Sequence, residues 1–252
     1  KELAGLLLPA LRRNTNWWLT QRMTRFGLPA AVNGMEVGWD DSPRFDQGPI
    51  IACDLNSYLL LQMRTCADFA HMNDDDEAAS TLKDQADDYA ERMVNLLYDE
   101  ESGVFWDVNV GTGEFMGIKT PSCFLPLLAG VPLAEEQQRR AIEEYLLNPS
   151  CFFGVVPFPV VAYDEPTYGA AKWWRGPTWI NVAYLMIDLL EKMEYRDEAQ
   201  TARKRLYDIM IADGDLREHF DSQTGAGLGA YEYGFTAAIC LCLHEELQAT
   251  SG

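Results

Sequence analysis

The sequence predicts an all-α fold in which helical hairpins form a toroid with one decorated face. Three observations carry that prediction. Apolar residues recur three and four positions apart in seven separate segments, the spacing that lines one face of a helix. Strand-like alternation is confined to one short segment. Three connections are long and rich in Trp, Pro, Gly and charge, whereas helix connections usually take about two to eight residues.

The periodic segments are 3 to 24, 49 to 71, 77 to 97, 134 to 147, 178 to 194, 196 to 211 and 232 to 248. A shorter helix is expected from Pro121 to Ala129, with Thr120 as its cap and Pro121 at its first position, where a missing N–H costs nothing. NDDDE, residues 73 to 77, falls between two helices, where Asn and Asp satisfy the free N–H groups of the next helix start. Residues 98 to 117 are the exception. There Val104, Trp106, Val108 and Val110 alternate between the turn signals Glu-Ser-Gly and Gly-Thr-Gly, which predicts a small β-hairpin on a helix connection. HFDSQTGAGLGAYEYG, residues 219 to 234, has the same Asp-x-x-x-Gly flavour, consistent with linkers gathered at one end of the molecule. The long connections are 25 to 48, 150 to 177 and 212 to 231, and long ordered loops are commonly functional.

Composition narrows the chemistry. The 252 residues supply enough apolar content for a sizeable core, and the net charge of -19, from 39 acidic and 20 basic residues, repels nucleic acid and anionic membrane surfaces. No apolar run reaches the roughly 20 residues of a membrane span, and KELAGLLLPALRRN lacks the marks of a signal peptide, so a soluble, cytoplasmic protein is expected. Cys53, Cys66, Cys123, Cys151, Cys240 and Cys242 form no CxxC pair and read as buried free thiols. Three scattered histidines, His71, His219 and His244, argue against a metal centre, and no cofactor is indicated. Chemistry on this chain falls to carboxylates.

Three stretches hold them. NGMEVGWDDSPRF, residues 33 to 45, sets Glu36, Asp40 and Asp41 beside Trp39 and Arg44. A carboxylate against an indole is desolvated on one side and keeps a proton more readily, as a general acid must. Asp40 fits that role; the alternative is a solvated acidic turn. Asp41 could cap the turn, and Arg44 could pair with either acid or with a substrate hydroxyl. In KWWRGPTWINVAYL, residues 172 to 185, Trp173, Trp174, Arg175 and Trp179 crowd the Gly176-Pro177 break. Indoles beside a guanidinium suit a polyhydroxylated ring, although three tryptophans at a helix start also suit core filling. In GDLREHFDSQTGAGLGA, residues 214 to 230, Glu218 follows a helix end and can project from a glycine-rich loop. Two carboxylates from distant loops with an aromatic wall between them are the parts of a glycosidase.

These stretches resemble glycoside hydrolase family 63, in the clan that includes trehalases. GWDDSPRF is similar to its Gly-Trp-Asp element, WWRGPTWINVAYL to its Tyr-Trp-Arg-Gly-Pro-x-Trp-Ile-Asn block, and EHFDSQTGAGLGAYEYGFTAA to its Glu-x-x-Asp-x-x-Thr-Gly block, in family order over residues 33 to 243. Within the family the blocks look most like bacterial mannosylglycerate and glucosylglycerate hydrolases. The resemblance implies an (α/α)6 barrel and an inverting α-glycosidase, with residues 1 to 252 as a single catalytic domain lacking its N-terminal hairpins. It makes Asp40 the general acid and Glu218 the general base. Trp39, Asp41, Arg44, Trp174, Arg175 and Trp179 would line the sugar subsite, and a small carbohydrate would be the partner. Trp173 stands where the family often has Tyr. Rival readings are a non-catalytic carbohydrate-binding module, a histidine-dependent sugar epimerase or isomerase, and a magnesium-diphosphate site at NDDDE.

Overall fold

In the computed structural model, which describes residues 1 to 249, the chain divides into two compact units that interleave along the sequence.

One unit holds Lys1–Gly38, Arg44–Gly117 and Leu125–Ala134. Its helices are α1 (Glu2–Gln21), α2 (Cys53–Met72), α3 (Asp76–Leu97) and α4 (Leu125–Ala129). The α2–α3 hairpin is its centre. Ala86, Tyr89, Ala90, Met93 and Leu97 recur at helical spacing on α3 and pack on the buried Leu59, Leu60, Met63, Cys66, Ala67 and Ala70 of α2. Asp75, from the NDDDE run, caps α3 by accepting the Ala78 N–H at 3.1 Å. Asp74 turns the chain with φ of 62°. α1 stops at Gln21, three residues before the expected end, because Met23 bridges to Pro29 and Leu28 O accepts both the N–H and the hydroxyl of Thr24.

The hairpin expected over 98 to 117 forms only in part. β2 (Tyr98–Asp99) pairs with β3 (Val104–Phe105), but β4 (Val108–Asn109) leaves them and pairs antiparallel with β1 (Ile50–Ile51), Ile51 opposite Val108. The split falls at Trp106 and Asp107, where the Asp107 carboxylate is drawn to the Arg44 guanidinium and the Cys53 N–H. The same pairing uses Ile50 and Ile51 as strand, so α2 starts at Cys53 rather than at 49.

The second unit holds Trp39–Pro43, Ile118–Phe124 and the chain from Glu135 onward. Its helices are α5 (Glu135–Ala141), which continues as one π turn over Ile142–Leu146, then α6 (Ile180–Lys192), α7 (Arg196–Asp213) and α8 (Gly234–Ala249). Its short strands β5 (His219–Phe220) and β6 (Gly227–Leu228) pair antiparallel. The helix expected over 121 to 129 is broken: Pro121–Phe124 is a 3-10 turn, and the Thr120 hydroxyl meets that of Ser122 instead of capping a helix N–H. Ala199, Ala202, Leu206 and Met210 carry the apolar stripe of α7. The nearly buried Arg203 ties three helices together, donating to Glu191, to Gln200 and to Glu246, which also accepts from the Tyr184 hydroxyl. Gly214 ends α7 with φ of 78°, returning its N–H to Met210 O. Five cysteines are buried free thiols as expected, and Cys242 is exposed.

Candidate active site

Two of the long loops are fastened together by one backbone bridge. Thr178 and Phe220, both fully buried, exchange N–H to O bonds of 2.8 and 2.9 Å. The next residue of one strand and the preceding residue of the other, Trp179 and His219, therefore face each other. Their rings stack at 4.9 Å with 12° between planes. Trp174 covers the opposite face of Trp179 at 3.9 Å, and Trp39 stacks on Trp174 at 5.3 Å. The turn that aims Trp174 requires Gly176, because a Cβ there would lie 2.5 Å from Gly169 O. The result is a closed pile of four rings, in which Trp39, Trp174 and Trp179 are 4, 5 and 3% exposed. An open stacking surface, as the sequence suggested, is not what these rings present.

Asp41 secures the pile from the first loop. Its Oδ1 accepts the Trp174 N–H at 2.9 Å, and its Oδ2 lies 3.8 Å from Arg175 Nε. Asp40 is exposed in the same tight turn, which Ser42 N–H closes on Trp39 O. Glu218 is half-buried at the start of β5. Its N–H donates to Ala230 O at 2.9 Å, and its Oε2 accepts the Ala230 N–H at 3.1 Å. Gly229, with φ of 71°, leaves the space this carboxylate fills, since a Cβ would stand 2.3 Å from Glu218 Oε2.

Tyr233 lies within electrostatic reach of both acids. Its ring meets Trp179 edge to face at 6.5 Å, and burial followed by the negative charges of Glu218 and Asp40 raises its phenol above the ordinary value. Asp40 and Glu218, 178 positions apart in sequence, thus act on one phenol.

Two residues of the opening stretch serve elsewhere. Arg44, expected at the sugar subsite, is fully buried in the first unit, where Asp54 binds it bidentately at 2.8 and 2.9 Å and Asp107 at 2.6 and 3.1 Å. It leaves no surface for a ligand, and its charge is needed to neutralise two buried carboxylates. Glu36 accepts from Arg22 at 2.6 Å and from the Val32 N–H at 2.8 Å. Burial alone would raise its pKa, but these donors hold it below the usual carboxylate range, so Glu36 pins its own loop.

Sequence reasoning missed Tyr233 and the place of His219. His219 is adjacent to Glu218 in the sequence, where it suggests only an epimerase base. Tyr233 gives no signal beyond lying in the same loop region. Among the described residues no group of three or more His, Cys, Asp or Glu converges as a metal site, and no helix is long and apolar enough to cross a membrane.

Comparison with known proteins follows the same lines. The profile of the mannosylglycerate hydrolase MGH1-like glycoside hydrolase domain matches residues 1–236. The chain belongs to this family. A family relative, the mannosylglycerate hydrolase of Rubrobacter radiotolerans, is 28% identical over 213 residues, covering 82% of this chain and 47% of the relative. The chain thus spans about half the length of that relative. The GH63 mannosylglycerate hydrolase from Thermus thermophilus, solved in complex with glucose and also with Tris and D-glycerate, superposes with a TM-score of 0.82 at 22% identity in the glucose complex. That match covers 97% of this chain and 69% of the other. Neutral trehalase from Saccharomyces cerevisiae follows with a TM-score of 0.68 at 20% identity, covering 82% of this chain and 40% of the enzyme. At these identities the two structures speak to fold alone, and the fold is of the (α/α)6-barrel class of GH63 and the trehalases.

Proposed function

We propose that this MGH1-like chain carries the acid-base pair of an inverting α-glycosidase that removes a terminal α-glucosyl or α-mannosyl group from a small glycoside. The supporting observation is that the ring pile runs from Trp39, next to Asp40, through Trp174 and Trp179 to His219, next to Glu218, all within one compact unit. Asp40, exposed on its turn, protonates the glycosidic oxygen as the bond to the anomeric carbon breaks. Glu218, tethered at Oε2 by the Ala230 N–H, takes a proton from the water that attacks the same carbon from the opposite face. Trp39, Trp174, Arg175, Trp179 and Asp41 shape the wall between the acids. The name of the Rubrobacter relative and the glucose and D-glycerate in the Thermus structures favour a sugar joined to a short carboxylated aglycone.

In full-length protein, Asp40→Asn and Glu218→Gln should each cut hydrolysis of glucosylglycerate or mannosylglycerate by about 10²-fold or more, while sugar binding survives. Proton NMR of the first-formed sugar should show the β anomer. Hydrolysis at the wild-type rate in either variant would refute the assignment.

A further inference from the structure

One sealed nitrogen lies beside Glu218 without a partner. His219 Nδ1 is buried from solvent, accepts and donates nothing among the described residues, and stands 4.0 Å from Glu218 Oε2. Leaving a buried polar atom unmatched is costly, so its place calls for a compensating use. The ring is not free to turn away. Trp179 stacks on it, Leu228 is its partner in the β5–β6 ladder, and at Gly229 a Cβ would stand 2.9 Å from His219 Cε1 as well as blocking Glu218. The lack of a side chain at Gly229 therefore lets imidazole and carboxylate share one space.

A gap of 4.0 Å is too long for a hydrogen bond and within reach of an ion pair. Sharing a proton would close it. We propose that His219 is a positioning residue for Glu218: its Nδ1 engages the carboxyl group whenever the pair holds one proton, and releases it when the pair holds none. The proposal rests on Glu218 being the general base. In that cycle water gives a proton to the Glu218 carboxylate, and the new O–H donates to neutral Nδ1, which orients the acid until solvent removes the proton. Once the ring is protonated, Nδ1–H pairs with the carboxylate, and Glu218 becomes a poorer base. The charged groups acting on the ring are Glu218 and Arg217; Trp179, Leu228 and Gly229, from the elements packed against it, do not titrate. Burial lowers the imidazole below its ordinary value, opposed by Glu218 and assisted by Arg217, which keeps the ring neutral at pH 7.

NMR of histidine-labelled protein tests the coupling without requiring turnover, with the His219 signal identified by its loss in His219→Phe. Its titration should lie below the ordinary imidazole range and fall by about half a unit or more in Glu218→Gln, because a negative neighbour is removed. An unchanged titration would overturn the proposal. In hydrolysis assays, His219→Phe keeps a ring against Trp179 but removes the nitrogen. It should lower kcat about tenfold with little change in KM and move the acid limb to lower pH, and His219→Asn, which returns a polar atom near Nδ1, should recover most of kcat. Wild-type kcat and pH profile in His219→Phe would also refute it. Full activity in Glu218→Gln would instead refute the base assignment, leaving the NMR result to judge the coupling. If His219→Phe fails to fold, loss of the other two signals in the exposed-site variants His71→Gln and His244→Gln identifies that of His219, and the wild-type and Glu218→Gln titrations remain decisive.

Discussion

Neighbouring residues of one loop have been given unrelated work by their partners. Asp40 is exposed and available, Asp41 holds the Trp174 N–H, and Arg44 is sealed between Asp54 and Asp107. Their different costs on substitution follow. Arg44→Met leaves two buried carboxylates without a counter-charge and should lower stability by about 3–5 kcal/mol, read from the urea unfolding midpoint. Asp41→Ala removes a half-exposed acceptor, so it should cost about 1 kcal/mol of stability and weaken sugar binding. Gly229→Ala combines a left-handed backbone with a 2.3 Å clash against Glu218 Oε2, and should reduce hydrolysis far more than it reduces helix content by circular dichroism.

At the level of elements, burial sorts the helices. The α7 stripe at Ala199, Ala202, Leu206 and Met210 is closed against its neighbours, whereas Leu241 of α8 is 68% exposed. Leu206→Ala should therefore cost about 2–5 kcal/mol in chemical unfolding, and Leu241→Ala close to nothing. The loops obey a different rule, since their order comes from a few backbone bonds. The Thr178–Phe220 bridge brings Trp179 against His219, and the Gly176 contact with Gly169 aims Trp174 into the pile. Periodicity reveals helices such as α2 and α3 because each repeats its burial signal over several turns; a two-residue ladder such as β5–β6 has no room for a pattern. The hairpin over 98 to 117 formed only in part, for another reason. Its alternation was real, but Asp107 turned toward Arg44 and divided it between two partners.

For the whole molecule the dominant long-range term is charge. With a net charge of -19, self-repulsion opposes the compact state, and mobile ions relieve it. Raising NaCl from about 20 mM to about 0.5 M should raise Tm by a few degrees in a calorimetric scan. A falling Tm would mean that the surface pairs, such as Lys83–Asp87 and Lys204–Asp208, outweigh the excess of acids.

The sequence by itself determined the all-α class, the positions of the main helices, the capping role of the NDDDE run and the family, because each is written in local repetition or in contiguous motifs. It also singled out Asp40 and Glu218 as chemically suited, and paired them through the resemblance rather than through any local pattern. Which neighbours each residue would meet was decided by tertiary structure alone. Arg44 went to Asp54 and Asp107, three indoles and His219 closed into a pile, and Tyr233 came to feel both acids. The physical reason is that a helix is a property of residues a few positions apart. A site depends on contacts between residues that the chain separates by scores of positions, and no local pattern encodes those.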